Sequence, residues 1–170
     1  ESLRGALSDY LTGEIVPWVE RMGFAARTLT DPAAPGPFLL AERDVPWIEQ
    51  LDLQARLFGF EPPGEPRRTG DLVDGQALAF GHVTGRVLAC PGHTEGGVSL
   101  HFPDAAALFT GDTLFVGGVG RTDLPGGDFD VLERSILRLY ELPDDTVFYS
   151  GHGPPGRLGR EKRRNPFVHL

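Results

Sequence analysis

The chain has 170 residues, 40% of them hydrophobic and 24% charged, and a formal net charge of −8. That is enough chain for a single domain, too apolar for a disordered protein and too acidic for a dedicated nucleic-acid binder. The lone cysteine, Cys90, excludes an intramolecular disulfide framework and a cysteine-rich zinc cage, and no apolar run is long enough for a transmembrane helix. No targeting segment is read, so the expected compartment is the cytoplasm, with neither nucleic acid nor membrane as partner. The chain opens on Glu1 and Met22 is its only methionine, so a processed or trimmed form, or one lacking segments, is expected.

In chain order, the first 14 residues read as short extended pieces with turns. Ile15, Trp18, Val19 and Met22 form an apolar helical stripe that Gly23 stops. Ala25 to Leu29 reads as a short strand, and Asp31 to Pro37 as loop. Phe38 to Ala41 suits a buried strand. Asp44 is placed to cap a helix that has Pro46 in its first turn, Ile48, Leu51, Ala55 and Phe58 on one face, and Gly59 at its end. Glu61 to Thr69 is a proline-rich connector.

Gln76 to Phe80 and Val83 to Cys90 are strand candidates joined at Gly81-His82. Val98, Leu100 and Phe102 alternate with Ser99 and His101, the period of a half-buried strand that leaves His101 exposed. Ala107 to Thr110 is the next strand, and Gly111 to Gly127 reads as one long glycine-rich loop. Long loops in compact domains are usually functional or disordered. Asp128 then caps a helix with Phe129, Leu132, Ile136 and Leu139 on its face, and Thr146 to Ser150 forms another strand. Strands mixed with helices predict an α/β (α+β layered) fold, as one domain over residues 1–170.

Three of these strands end alike. Val87-Leu88-Ala89-Cys90 runs into Pro91-Gly92-His93-Thr94, Ala107-Leu108-Phe109-Thr110 into Gly111-Asp112-Thr113, and Val147-Phe148-Tyr149-Ser150 into Gly151-His152-Gly153. Each time an apolar strand stops, a glycine permits a sharp turn and a metal-ligand residue type follows. Functional groups in layered α/β proteins gather at such strand ends. Two histidines and an aspartate suit a catalytic zinc site with an open water position or a non-haem iron triad, and either ion lowers the pKa of bound water. The tips of His93, Asp112 and His152 are therefore expected within about 7 Å of a common point. His82, His101 and His169 lack this setting.

Cys90-Pro91-Gly92-His93-Thr94, Thr110-Gly111-Asp112-Thr113-Leu114-Phe115 and Ser150-Gly151-His152-Gly153 resemble the later motifs of the metallo-β-lactamase fold superfamily. Gly117-Gly118-Val119-Gly120-Arg121-Thr122-Asp123-Leu124 and Asn165-Pro166-Phe167 are similar to its glyoxalase II-like branch. The resemblance covers roughly Phe38 to Val168, with the helix Ile15 to Met22 a weaker match. It implies an αββα sandwich with one or two zinc ions, or iron, at one edge. His93 would serve the first metal, Asp112 would be the bridging carboxylate and catalytic centre, and His152 would serve the second.

The family's first signature, His-x-His-x-Asp-His, is absent. Thr28-Leu29-Thr30 looks like the strand that precedes it, but Asp31-Pro32 comes next. Tyr10-Leu11 and Thr12-Gly13-Glu14 look like pieces of the opening strands with the intervening sequence gone. The departure reads as loops near the site that this chain lacks, with breaks near Thr12 and between Thr30 and Phe38, or as a degenerate member.

The resemblance implies a metal-dependent hydrolase acting on a small thiolester. The alternatives are a persulfide dioxygenase with one Fe(II), with which Gly120-Arg121-Thr122-Asp123 is compatible, and a non-catalytic binding protein. Arg121 either pairs with Asp123 or meets substrate. Arg157, Arg160, Lys162, Arg163 and Arg164 form a basic cluster, read either as a solvated helix face or as a docking patch for an anionic thiol such as glutathione. Cys90 reads as a small buried apolar side chain.

Overall fold

The computed structural model describes residues 39–50, 53, 56, 59, 68–80 and 83–170. Those parts of the expected early strands, the helix Ile15 to Met22 and the two expected breaks that precede residue 39 lie outside the described residues, as do Leu51, Ala55, Phe58 and His82. The chain divides into two compact units, Glu1–Pro37 with Ala79–Thr84, and Phe38–Leu78 with Gly85–Leu170. The second carries the candidate site described below.

Strand β1 (Leu39–Leu40) pairs in parallel with β2 (Gly70–Asp71). Between them, a 3-10 turn at Glu42–Asp44 leads into helix α1 (Val45–Glu49), with Pro46 in its first turn as expected. The Asp44 side chain, however, makes no capping bond to this helix. Leu53 and Arg56 are helical, and Gly59 follows with a φ of 74°, the conformation glycine adopts most readily.

The main sheet has six strands: β3 (Ala77–Phe80), β4 (Val83–Ala89), β5 (Val98–Phe102), β6 (Ala107–Gly111), β9 (Val147–Ser150) and β10 (Gly156–Arg157), in the order β10-β9-β6-β5-β4-β3. Neighbours β4/β5, β5/β6 and β9/β10 are antiparallel, whereas β6 and β9 are parallel. Helix α2 (Phe129–Leu139) makes the connection that a parallel pair requires. It starts as the sequence predicts, with the Asp128 carboxylate accepting from Val131 N at 2.9 Å. Leu132, Ile136 and Leu139 on its apolar stripe are fully buried against Leu88, Leu108 and Phe148 of the sheet, while Phe129 is 40% exposed. Truncating any of the three to alanine would cost about 2–5 kcal/mol. Helix α3 (Leu158–Arg164) adds Leu158 to the same core.

Three expectations need correction. The stretch Gly111 to Gly127 is not one loop: β7 (Leu114–Phe115) and β8 (Gly118–Val119) make a small antiparallel hairpin within it. Strand β5 is not amphipathic in the predicted sense, because Ser99 is fully buried. It lies between β4 and β6 in the middle of the sheet, so position outweighs polarity. His101 is only half-exposed; burial first, and then Arg86 in the facing register, hold its pKa below the usual histidine value. Cys90 is fully buried in the core cluster, and its thiol is pushed up to about 11 by desolvation, which leaves it inert at neutral pH.

Among the described residues, no helix is long and apolar enough to cross a membrane.

Candidate functional site

β4 is antiparallel to β5, β5 to β6, and β6 parallel to β9, so β4, β6 and β9 all run out at one edge of the sheet. The residues that follow them are His93, Asp112 and His152. His93 Nε2 lies 3.7 Å from Asp112 Oδ2, and His152 Nε2 lies 3.8 Å from Asp112 Oδ1. The three side chains gather round one carboxylate, as the strand–glycine–ligand pattern predicts, and each imidazole faces a different oxygen.

Two glycines make room for this. A Cβ on Gly151 would overlap Asp112 Oδ1, and one on Gly120 would overlap the Asp112 carbonyl and press on His93 Cβ. Both are close-approach positions where any side chain would displace the carboxylate or the imidazole.

His93 is the firmly held member. Its Nδ1 is 2.8 Å from the Arg121 carbonyl. A carbonyl only accepts, so Nδ1 carries the hydrogen, and in the neutral ring Nε2 keeps its lone pair on the Asp112 side. The turn itself is braced. Gly92 O accepts from Asp128 N at 2.8 Å, and Pro91 O accepts from Ser135 Oγ at 2.7 Å. Asp44 accepts from Thr94 Oγ1 at 2.8 Å and from Gly96 N at 2.7 Å. That is where the carboxylate expected to cap α1 is used. The partners lie about fifty residues away in sequence, so nothing local to Asp44 signals the contact.

His152 is held differently. Its side chain is 75% exposed, against 22% for His93. Its ring stacks on Phe115 of β7, with centroids 4.6 Å apart and planes at 28°. Phe115 is a site residue that the sequence reading left unassigned. A cavity of about 370 Å³ opens beside Asp44, His93, Thr94, Thr110, Asp112 and Thr113; His152 is not in its lining.

The basic side chains pair elsewhere, although the Arg121 carbonyl holds His93. Arg121 makes a bidentate pair with Asp123, Nε to Oδ1 at 2.7 Å and Nη2 to Oδ2 at 2.6 Å. The guanidinium holds the Asp123 carboxyl down at about 2. Lys162 is nearly buried, and its Nζ donates to Leu142 O at 2.6 Å and Asp144 Oδ1 at 2.7 Å, while Arg163 Nη1 donates to Asp144 Oδ2 at 2.9 Å. These two cations clamp the turn before β9 and hold Asp144 below the usual carboxylate range. Arg164 is exposed. Among the described residues, no hydrogen bond or ion pair joins these four side chains to His93, Asp112 or His152.

The donors fit a divalent metal in type, since imidazole and carboxylate suit zinc and iron, and the carboxylate stands between the imidazoles. In number they fall short. Each side of Asp112 offers one imidazole and one oxygen, where a catalytic zinc takes three protein ligands. Among the described residues, no group of three or more His, Cys, Asp or Glu is arranged to hold an ion. The sequence contains no histidine before His82.

Residues 24–152 match the family model for the metallo-beta-lactamase superfamily. The chain is 38% identical over 134 residues to a hydroxyacylglutathione hydrolase, GloC, of Haemophilus influenzae, covering 75% of this chain and 61% of that protein. It is 37% identical over 136 residues to a probable metallo-hydrolase, YqgX, of Bacillus subtilis, covering 78% and 64%. The solved structure of TTHA1623 in a di-iron-bound form superposes with a TM-score of 0.74 at 41% identity, over 84% of this chain and 70% of that one. The chain thus spans about three fifths of the length of these curated relatives.

Proposed function

The chain belongs to the metallo-beta-lactamase superfamily and has its fold, and from that premise we propose that it is a metal-dependent hydrolase of the glyoxalase II-like type that cleaves a small thiolester. The observation that carries this reading is the division of the Asp112 oxygens between His93 Nε2 and His152 Nε2. That is the geometry of a carboxylate serving two neighbouring positions. The likeness to a hydroxyacylglutathione hydrolase supplies the substrate class, a hydroxyacyl thiolester of glutathione.

His93 and one Asp112 oxygen would hold the first ion, His152 and the other oxygen the second. A divalent ion supplies a nucleophilic water at neutral pH and a Lewis acid for the carbonyl oxygen. The protein's own part is orientation. The Arg121 carbonyl fixes the His93 tautomer, Asp44 fixes the turn behind it, and Phe115 sets the plane of His152. The adjoining cavity of about 370 Å³ has room for a small acyl group beside Asp112.

With two donors per position, zinc affinity is expected to be on the order of micromolar or weaker, short of the ~10–16 kcal/mol of complete four-ligand sites. Calorimetric zinc titration and thiolester hydrolysis, each run on the wild type and on Asp112→Ala, test the reading. Metal-dependent cleavage that Asp112→Ala abolishes is expected. A wild type that cleaves nothing at any zinc concentration overturns it in favour of a non-catalytic binding protein.

The second reading, a persulfide dioxygenase with one Fe(II), draws on the set of two histidines and a carboxylate, which suits non-haem iron. A single ion would need His93 and His152 to converge on one point, whereas they address different oxygens of Asp112. Oxygen consumption after anaerobic loading with one Fe(II) would reverse the order of the two readings.

A further inference from the structure

Helix α3 carries one acid among its cations, and that acid is turned inward. Glu161 is 1% exposed; its Oε2 accepts from Gly117 N at 2.8 Å and from Asn165 Nδ2 at 3.1 Å. Asn165, equally buried, also directs Nδ2 to Gly118 O at 3.1 Å, while its Oδ1 accepts from Phe167 N at 3.0 Å and Val168 N at 3.3 Å. Burying a carboxylate is costly unless hydrogen bonds compensate, and here one comes from the backbone at the tip of the β7–β8 hairpin and the other from Asn165. A hairpin of two-residue strands has little stability of its own. Its base is pinned as well: Leu114 O accepts from Thr110 Oγ1 and from Ser150 Oγ, each at 2.9 Å. Phe115 stands between these two pins, with its ring against His152.

We propose that Glu161 and Asn165 are positioning residues for His152, acting through the hairpin and Phe115. The chain of contact is continuous: Glu161 and Asn165 to Gly117 and Gly118, Gly118 to Phe115 in the hairpin register, and Phe115 to the imidazole. Among the described residues, no hydrogen bond engages the His152 ring; it meets the Asp112 carboxylate at 3.8 Å and the stacked phenyl, and the phenyl sets its plane. Without the tip bonds the hairpin loosens, Phe115 leaves its place, and the exposed imidazole turns freely. His93, fixed by the Arg121 carbonyl, is untouched. The consequence for catalysis rests on the thiolester hydrolase reading, but the coupling itself exists without any metal.

The test is therefore made on the metal-free protein. The Phe115 ring current displaces the His152 ring-proton signals in the NMR spectrum, and Phe115→Leu supplies the reference in which that displacement is lost. In Glu161→Ala the His152 signals are expected to move to the Phe115→Leu positions while those of His93 stay. Glu161→Gln, whose amide oxygen can accept both bonds made by Oε2, is expected to restore them. Asn165→Ala, which removes the Gly118 bond, replaces Glu161→Ala should that variant not fold, and the same shift is expected. A folded Glu161→Ala or Asn165→Ala with wild-type His152 signals overturns the proposal. So does a Phe115→Leu variant that leaves those signals in place. Zinc binding and thiolester cleavage, measured separately on the wild type, report on the functional reading alone.

Discussion

The turn after β4 and the turn after β9 bring imidazoles to the same carboxylate by different means. The first is locked from several sides, with Asp44, Asp128 and Ser135 all bonded to residues 91–96 and the His93 ring tied to a backbone carbonyl. The second is tethered through Gly151 N to Gly111 O at 2.9 Å, but its ring is three-quarters exposed and rests on a phenyl group. One half of the site is thus pre-built by hydrogen bonds, and the other depends on a small hairpin being held in place. Hydrogen bonds fix a tautomer and a direction, whereas a stacked ring fixes only a plane.

The largest effect is expected where both halves meet. Asp112→Ala should abolish the calorimetric zinc signal and lower thiolester cleavage by on the order of a hundredfold or more, with the circular dichroism spectrum unchanged. Asp44→Ala acts on the locked half alone. It strips a partner from Thr94 Oγ1 and Gly96 N, which should cost about 1–3 kcal/mol of stability in urea denaturation and disturb His93 while leaving the His152 signals where they are. Phe115→Leu acts on the other half. It should weaken zinc-supported cleavage about tenfold with only a small loss of stability, since His152 contributes little to packing.

The smallest effect concerns the brace at the end of β4, just before the His93 turn. Asp74 accepts from Ala89 N at 2.8 Å and from Arg138 Nη2 at 3.0 Å. The Arg138 hydrogen bond, and then that of Ala89, hold its carboxyl below the usual 3.8. A depressed carboxylate stabilises the fold above its unfolded pKa, and that contribution is lost as pH falls below 3.8 through the lower folded value. Both side chains are about half exposed, so the pair contributes roughly 0.2–1 kcal/mol. Asp74→Asn should therefore lower stability by that amount at neutral pH and match the wild type once the pH is below both values, as denaturant titrations across the acid range would show.

Much of the locked half is legible in the sequence. Apolar strands followed by Gly-His or Gly-Asp mark the edge where the trio gathers, and the Asp128 cap with its Leu132, Ile136 and Leu139 stripe marks α2. The dependent half is much less so. Strands of two residues, such as β7 and β8, carry no alternation to read, and their glycines look like loop. Asp44, Glu161 and Lys162 act across 20 to 52 residues of sequence, so local propensity assigns Asp44 to a cap and Lys162 to a solvated helix face or docking patch, and leaves Glu161 unassigned. For Glu161 a signal did exist: it is the one acid in a run of five cations from Arg157 to Arg164. Ser99 shows the opposite limit, because periodicity fails in a central strand.

Crystals soaked in zinc and measured at its absorption edge test the division of Asp112 most directly. Two anomalous peaks are predicted, one between His93 Nε2 and Oδ2 of Asp112, the other between His152 Nε2 and Oδ1, the second weaker because its imidazole is mostly exposed and no hydrogen bond among the described residues fixes it. A single peak touching both imidazoles, or zinc bound away from Asp112, would contradict the account.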